Sequence, residues 1–261
     1  MESADGKVLI SYKVGLNEQD PTGFRAYRIT LDRVADMVRS AGQYSAVEFR
    51  DGYRDAAHAI PYSELIILDY DAGVTLVDAV DMFRQYIGIV ATTRSHQKEK
   101  NGVVCDRFRV ILPTRKPVLL EVEEFRMMMK EVIHNYGTDK ACSNISRTYF
   151  GCPDAEVVFL CGYQLFDWMP FYQSALDKAR QRQQQHREQE AAGNREAAQL
   201  DKANRTYWEK NFVSGARNLT VFTLGKWRKD AGAPLDILYS WNSQSDNPLP
   251  EDEVNNIIKR L

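Results

Sequence analysis

A domain of intermixed strands and helices, α/β or α+β in class, followed by a small all-helical region is what this sequence predicts. Two observations carry that reading. Through the first 165 residues or so, short apolar runs of strand length alternate with segments whose apolar residues recur at helical spacing. Residues 180–190 then contain no apolar side chain at all, and the patterning beyond Trp208 is helical throughout.

The elements follow in order. Residues 7–14 alternate weakly, as a first strand. Residues 31–40 place apolar side chains at helical spacing and stop at Ala41-Gly42, as a helix C-terminus should. Residues 44–49 read as a strand closed by a turn at Asp51-Gly52. Residues 64–70, containing Leu65-Ile66-Ile67-Leu68, form a buried strand, and residues 75–86 form a helix with Leu76, Val77, Val80, Met82 and Phe83 on its apolar face. Further strands are expected at 87–91, at 108–112 (closed by Pro113), at 146–151 and at 156–160, with a helix over 121–136. The stretch Arg-Gln-Arg-Gln-Gln-Gln-His-Arg-Glu-Gln-Glu from Arg180 cannot bury a face, so it is a solvated helix or a linker. The expected organisation is therefore a first domain over 1–170, a helical linker over 171–204 and a helical domain over 205–261. In the last helix Pro250 takes the first turn, ahead of Glu251, Asp252 and Glu253 at the positive end of the dipole.

Composition narrows the classes. A chain of 261 residues with 44% hydrophobic and 27% charged side chains is an ordinary globular one. No apolar stretch approaches the roughly 18 residues of a spanning helix. The opening Met-Glu-Ser-Ala-Asp-Gly carries no basic and apolar leader pattern, so an intracellular, cytoplasmic protein is expected. A formal net charge of −2 means that any polyanion site must be local. The four cysteines lack a C-x-x-C pair and are expected as free thiols, and His134, Cys142, Cys152 and Cys161 fit no zinc spacing.

The chemistry gathers around Asp69-Tyr70-Asp71. Side chains alternate along a strand, so the two aspartates project from one face, their carboxylates about 7 Å apart. A lone Asp-x-Asp is most often a solvated strand end; at the end of a buried strand it can also share hard divalent cations. Some 25 residues on, Thr93, Arg94, Ser95 and His96 form an anion cradle at another strand end, since all can donate to phosphate oxygens. From Arg94 to Pro117 seven Lys or Arg face only two acids, Glu99 and Asp106, a local surplus in an acidic chain. Arg107 and Arg109 share one strand face, opposite Phe108 and Val110. Asp139, just past a helix, offers a third carboxylate or a turn cap, and Arg147 a further phosphate contact.

The order Leu68-Asp69-Tyr70-Asp71, Ser95-His96, Arg107-Phe-Arg-Val-Ile-Leu-Pro113, Asp139 and Ser146-Arg-Thr-Tyr-Phe-Gly151 resembles the archaeo-eukaryotic primase superfamily. It is most similar to the primase-polymerase domains of phage and plasmid replication proteins. Gly215-Ala-Arg217-Asn218 with its following apolar helix, and Pro250-Glu-Asp-Glu-Val254, resemble the helical primase C-terminal domain. The resemblance implies an α+β catalytic domain with a central mixed or antiparallel sheet flanked by helices, plus a small all-α domain. It implies DNA-dependent nucleotidyl transfer, with magnesium or manganese on Asp69, Asp71 and Asp139. Arg94, Ser95, His96, Arg107, Arg109 and Arg147 would face the NTP or dNTP. Single-stranded DNA template and a replicative helicase, fused or separate, are the implied partners. The family's middle motif is usually Ser-x-His; here Arg94 holds the serine's position, and which of Thr93, Arg94 and Ser95 replaces it stays open. Arg54 sits where related domains carry an arginine, although by itself it reads as a surface residue. The rival readings are a catalytically weak DNA-binding replication initiator and a metal-dependent nuclease. If the aspartates repel one another around a metal, removing one should leave stability unchanged or slightly raised.

Overall fold

The computed structural model describes residues 6–100 and 102–261. The chain divides into two units, one ending at Ala179 and the other spanning Arg180–Leu261.

The first unit is built from two sheets. Strand β1 (Lys7–Val14) pairs with β2 (Arg25–Thr30) and β3 (Gly42–Ser45), and β3 with the two-residue β8 (Tyr149–Phe150), giving the order β2-β1-β3-β8. The larger sheet runs β4 (Val47–Phe49), β5 (Ala59–Tyr70), β7 (Phe108–Val118), β6 (Ile87–Thr92), β9 (Val157–Cys161). Every named pair is antiparallel. The arrangement is thus α+β, with two antiparallel sheets in place of one central sheet.

Both faces of the larger sheet are covered, which is why β5 reads as an unbroken apolar run. Leu65 and Ile67 face the smaller sheet and pack with Ile10, Tyr44, Ile89, Ile111 and Tyr149. Ile66, Leu68 and Tyr70 face the other way, toward Phe83 of helix α2 (Leu76–Phe83) and Met128 and Val132 of α3 (Val122–Tyr136). Thr75 caps α2 by accepting from the Asp78 N–H. The carboxylates of Glu121 and Glu124 form a capping box on α3, which stops at Gly137 in a left-handed conformation. Helix α1 (Leu31–Val38) buries Val34, Ala35 and Val38 against the layer between the sheets.

Several boundaries depart from the sequence reading. The expected strand at 44–49 breaks at Ala46, so that β3 serves one sheet and β4 the other. Pro113 does not end its strand: it pairs with Leu65, the β5–β7 register slips just beyond that pair, and β7 runs on to Val118. The Pro113 carbonyl accepts from the Phe166 N–H. Strand β2 was not expected; it is a polar edge strand with little alternation.

Helix α4 (Met169–Asn211) takes up the whole expected linker. Residues 180–193 are exposed all round it, as their composition requires. The second unit holds α5 (Arg217–Asp230), α6 (Ile237–Ser243) and α7 (Glu251–Ile258) around Trp208, Leu224, Leu238, Trp241 and Val254. Pro250 is the N-cap of α7 and not its first-turn residue. Among the described residues no helix is long and apolar enough to cross a membrane.

Candidate functional site

Asp69 continues the face of β5 that looks between the sheets, two residues beyond Ile67. Its register partner on β7 is Arg109. At the end of a buried layer a carboxylate needs a partner, and the two guanidiniums nearest to it supply one each. Arg109 Nε donates to Asp69 Oδ1 at 3.1 Å, and Arg147 Nη2 donates to Oδ2 at 2.7 Å. Arg109 also donates to the Phe150 carbonyl at 2.6 Å and to the Tyr44 hydroxyl at 3.2 Å, and lies against the Tyr149 ring. Burial alone would lower its pKa, but the Tyr44 oxygen and the Asp69 carboxylate outweigh that, so the cation is held above its ordinary range.

Arg147 joins the first aspartate to the third. The same Nη2 donates to Asp139 Oδ2 at 2.8 Å, and the Asp139 N–H donates to the Asp69 carbonyl at 2.9 Å. Asp139 caps a short 3-10 turn, its Oδ1 accepting from the Ala141 N–H at 3.0 Å. Beneath the pair lies Cys142, whose Sγ accepts from the Asp69 N–H at 3.3 Å. Burial pushes that thiol up to about 11. Asp71, by contrast, is exposed, and its carboxylate meets Lys100 Nζ at 3.0 Å.

Asp69 and Asp71 open into one cleft of about 940 Å³. It is lined by Arg109 and Arg147, by Arg94, Ser95, Lys98 and Lys100 of the loop between β6 and β7, and by Arg54. Arg54 donates to Thr148 Oγ1 and to the Glu18 carbonyl, both at 2.9 Å. Phe150 is the aromatic ring in the lining, and the Arg94 guanidinium lies 4.8 Å over its centre.

Two expected contacts lie elsewhere. His96 does not line the cleft: its Nδ1 accepts from the Arg107 N–H at 3.2 Å, and its Nε2 is 3.9 Å from Asp106. Arg107 is buried and does not line the cleft either. Just before β7 its side chain turns beneath the loop between β6 and β7. It donates there to the carbonyls of Ser95 (2.8 Å), Lys98 (2.7 Å) and Val103 (2.9 Å). The shared face with Arg109 ends there, since no register partner extends the ladder past Phe108. Asp106 anchors the loop's far end by accepting from the Leu76 N–H and from Gln97. Its carboxyl is held below the usual range, chiefly by that backbone bond.

The expected set of three metal carboxylates is not assembled. Among the described residues no group of three or more His, Cys, Asp or Glu side chains is placed to hold a metal ion. Among the described residues the Asp139 carboxylate is joined to that of Asp69 through Arg147. Asp69 and Asp71 remain as hard oxygen donors in the lining of one cleft. They suit magnesium or manganese only where water and substrate oxygens complete the coordination sphere. The cysteines are free thiols, as expected.

Sequence reasoning marked Lys98 and Lys100 as part of a basic stretch without assigning them to the site, and did not assign Phe150. The surplus of cations after Arg94 was the available signal.

No protein-family model matches this sequence, and no curated protein matches it. Among solved structures the chain is similar to the AEP domain (PP-N190) of the cyanophage S-2L primase-polymerase (PrimPol), at 16% identity. The match covers 64% of this chain and 88% of that one, with a TM-score of 0.38. A likeness at that level does not show the family, so the functional reading is drawn from the cleft.

Proposed function

We propose that the chain is a DNA-dependent primase-polymerase: a nucleotidyl transferase that starts and extends primers on single-stranded DNA in phage or plasmid replication, in the cytoplasm of a bacterial or archaeal host. The observation that carries the reading is the cleft itself. Two carboxylates at the end of β5, Asp69 and Asp71, open into a space of triphosphate size that Arg94, Lys98 and Lys100 also line. In the reaction a primer 3′-hydroxyl attacks the α-phosphorus of an NTP or dNTP and pyrophosphate leaves.

Asp69 and Asp71 would hold magnesium or manganese, which would lower the pKa of the attacking hydroxyl and offset charge on the leaving phosphates. The protein's own part is placement and electrostatics. Arg109 and Arg147 fix the rotamer of Asp69. Arg94, Lys98 and Lys100 receive the phosphates, and Ser95 offers a hydroxyl beside them. His96 and Arg107 act one step removed, by shaping the loop that carries those cations. Asp139 holds Arg147 in place. Template binding draws on backbone phosphates and exposed basic side chains, with a replicative helicase as partner.

One observation favours a second reading. Asp69 is already satisfied by two guanidiniums, as it would be in a DNA-binding initiator that keeps the fold without the chemistry. Labelled dNTPs, unprimed single-stranded DNA and manganese or magnesium separate the two. Labelled products that disappear in Asp71→Ala support the polymerase. DNA that is bound and never extended supports the initiator, and shortened DNA a nuclease.

A further inference from the structure

The ion-paired carboxylates around Asp69 are electrically balanced by the protein itself. Asp69, Asp71 and Asp139 carry three negative charges, and Arg109, Arg147 and Lys100 lie against them with three positive ones. A divalent cation entering alone would meet a neutral set of charges and leave it with two uncompensated positive charges, next to an Arg109 side chain that is 12% exposed. A divalent cation entering with a triphosphate brings a net negative charge instead. It also gives the displaced protein cations new oxygens to bind.

From this balance we infer that the chain takes up its metal only as the metal–nucleotide complex, and that Lys100 is the residue that enforces the order. The inference rests on the nucleotidyl-transfer reading of the cleft. The two aspartates differ in how firmly they are held. Asp69 is locked, since both its oxygens accept from guanidiniums whose side chains are 12% and 19% exposed. Asp71 is closed by one ammonium, in a pair about half exposed on each side. Exposed pairs of that kind are weak and salt-screened, so Lys100 can leave without unfolding anything. It sits on the same loop as Arg94 and Lys98 and lines the same cleft. When phosphates arrive it can exchange the Asp71 carboxylate for a phosphate oxygen, opening Asp71 to the metal in the same step. Arg147 cannot make that exchange freely, because it ties Asp69 to Asp139.

The test is equilibrium dialysis of the full chain against manganese, with and without a non-hydrolysable dNTP, counting protein-bound manganese and nucleotide separately. Wild type should bind manganese at least about tenfold more tightly with the nucleotide than without it, because a like charge has been removed from the metal's surroundings. Lys100→Ala should bind free manganese roughly tenfold more tightly than wild type does, a gain of metal binding from deleting a lysine. Lys100→Arg, which keeps the charge, should behave as wild type. Equal manganese affinity with and without nucleotide, or no gain in Lys100→Ala, overturns the inference while nucleotide binding leaves the proposed function standing. If neither manganese nor its nucleotide complex is retained, the proposed function itself falls, and the inference with it.

Discussion

Replacing Arg107 with methionine removes its guanidinium and keeps much of its volume. In the structure that guanidinium is buried and holds three carbonyls of the β6–β7 loop at 2.7–2.9 Å, while its Nε has no partner among the described residues. Hydrogen bonds from a charged donor contribute on the order of 1.5–3 kcal/mol each, so the three amount to a gross 5–9 kcal/mol. Two effects reduce the net loss. The variant no longer desolvates a cation, and Gln97, Lys98, Glu99 and Lys100 are exposed, so the freed carbonyls can rehydrate by opening the loop. The expected loss is therefore about 2–4 kcal/mol, taken first as local opening.

Urea unfolding reads the global part, and hydrogen exchange of the amides between Thr93 and Asp106 reads the local part. Nucleotide affinity should fall in parallel, because the cations of the cleft wall ride on this loop. A methionine variant with unchanged loop protection and a loss below about 0.5 kcal/mol would refute the hub role. If the same variant still lost triphosphate affinity, the contact expected from sequence would return in its place.

Three further outcomes are expected. Asp69→Ala should destabilise by about 3–5 kcal/mol because it takes the carboxylate partner from Arg109 and leaves Arg147 with Asp139 alone, whereas Asp71→Ala, from an exposed pair, should stay within about 1 kcal/mol; equal unfolding midpoints in urea would mean that the Asp69 network is not made. Cys142, raised to about 11, contributes stability that is complete below the unfolded thiol's range and is lost as pH rises through 11; Cys142→Ala should flatten the alkaline limb of a stability–pH profile between about 8.5 and 11. A chain cut after Asp167 should fail to fold, and one cut after Ala179 should fold, because Trp168 donates to the Lys116 carbonyl and Phe171 stacks on Phe166; circular dichroism and proteolysis of the two fragments decide it.

The elements legible in the sequence are those whose signals are local. Strand β1 has its expected bounds and α3 ends at Tyr136 as expected, because alternation and helical periodicity are set within a few residues. What was not legible depends on partners far along the chain. Nothing near Ala46 says that the two halves of one apolar run belong to different sheets. Nothing near Pro113 says that its neighbour in β5 has slipped register.

The same division runs through the cleft. That Asp69 and Asp71 come out close together is what strand period leads one to expect, whereas their approach to a basic strand rests on the pairing of β5 with β7. Which cation answers which carboxylate does not follow from strand period either, because Arg147 lies 78 residues from Asp69 and Lys100 lies 29 from Asp71. The expectation that removing an aspartate relieves repulsion was built on three carboxylates around a metal. With Arg109 and Arg147 closing on Asp69 the sign reverses, since the larger cost is now a stranded guanidinium. The two aspartates of a symmetrical-looking motif thereby acquire different duties. Asp69 is bound into the layer between the sheets and cannot be given up without cost to the fold, while Asp71, whose carboxylate is held among the described residues by a half-exposed lysine, is the one free to change partners.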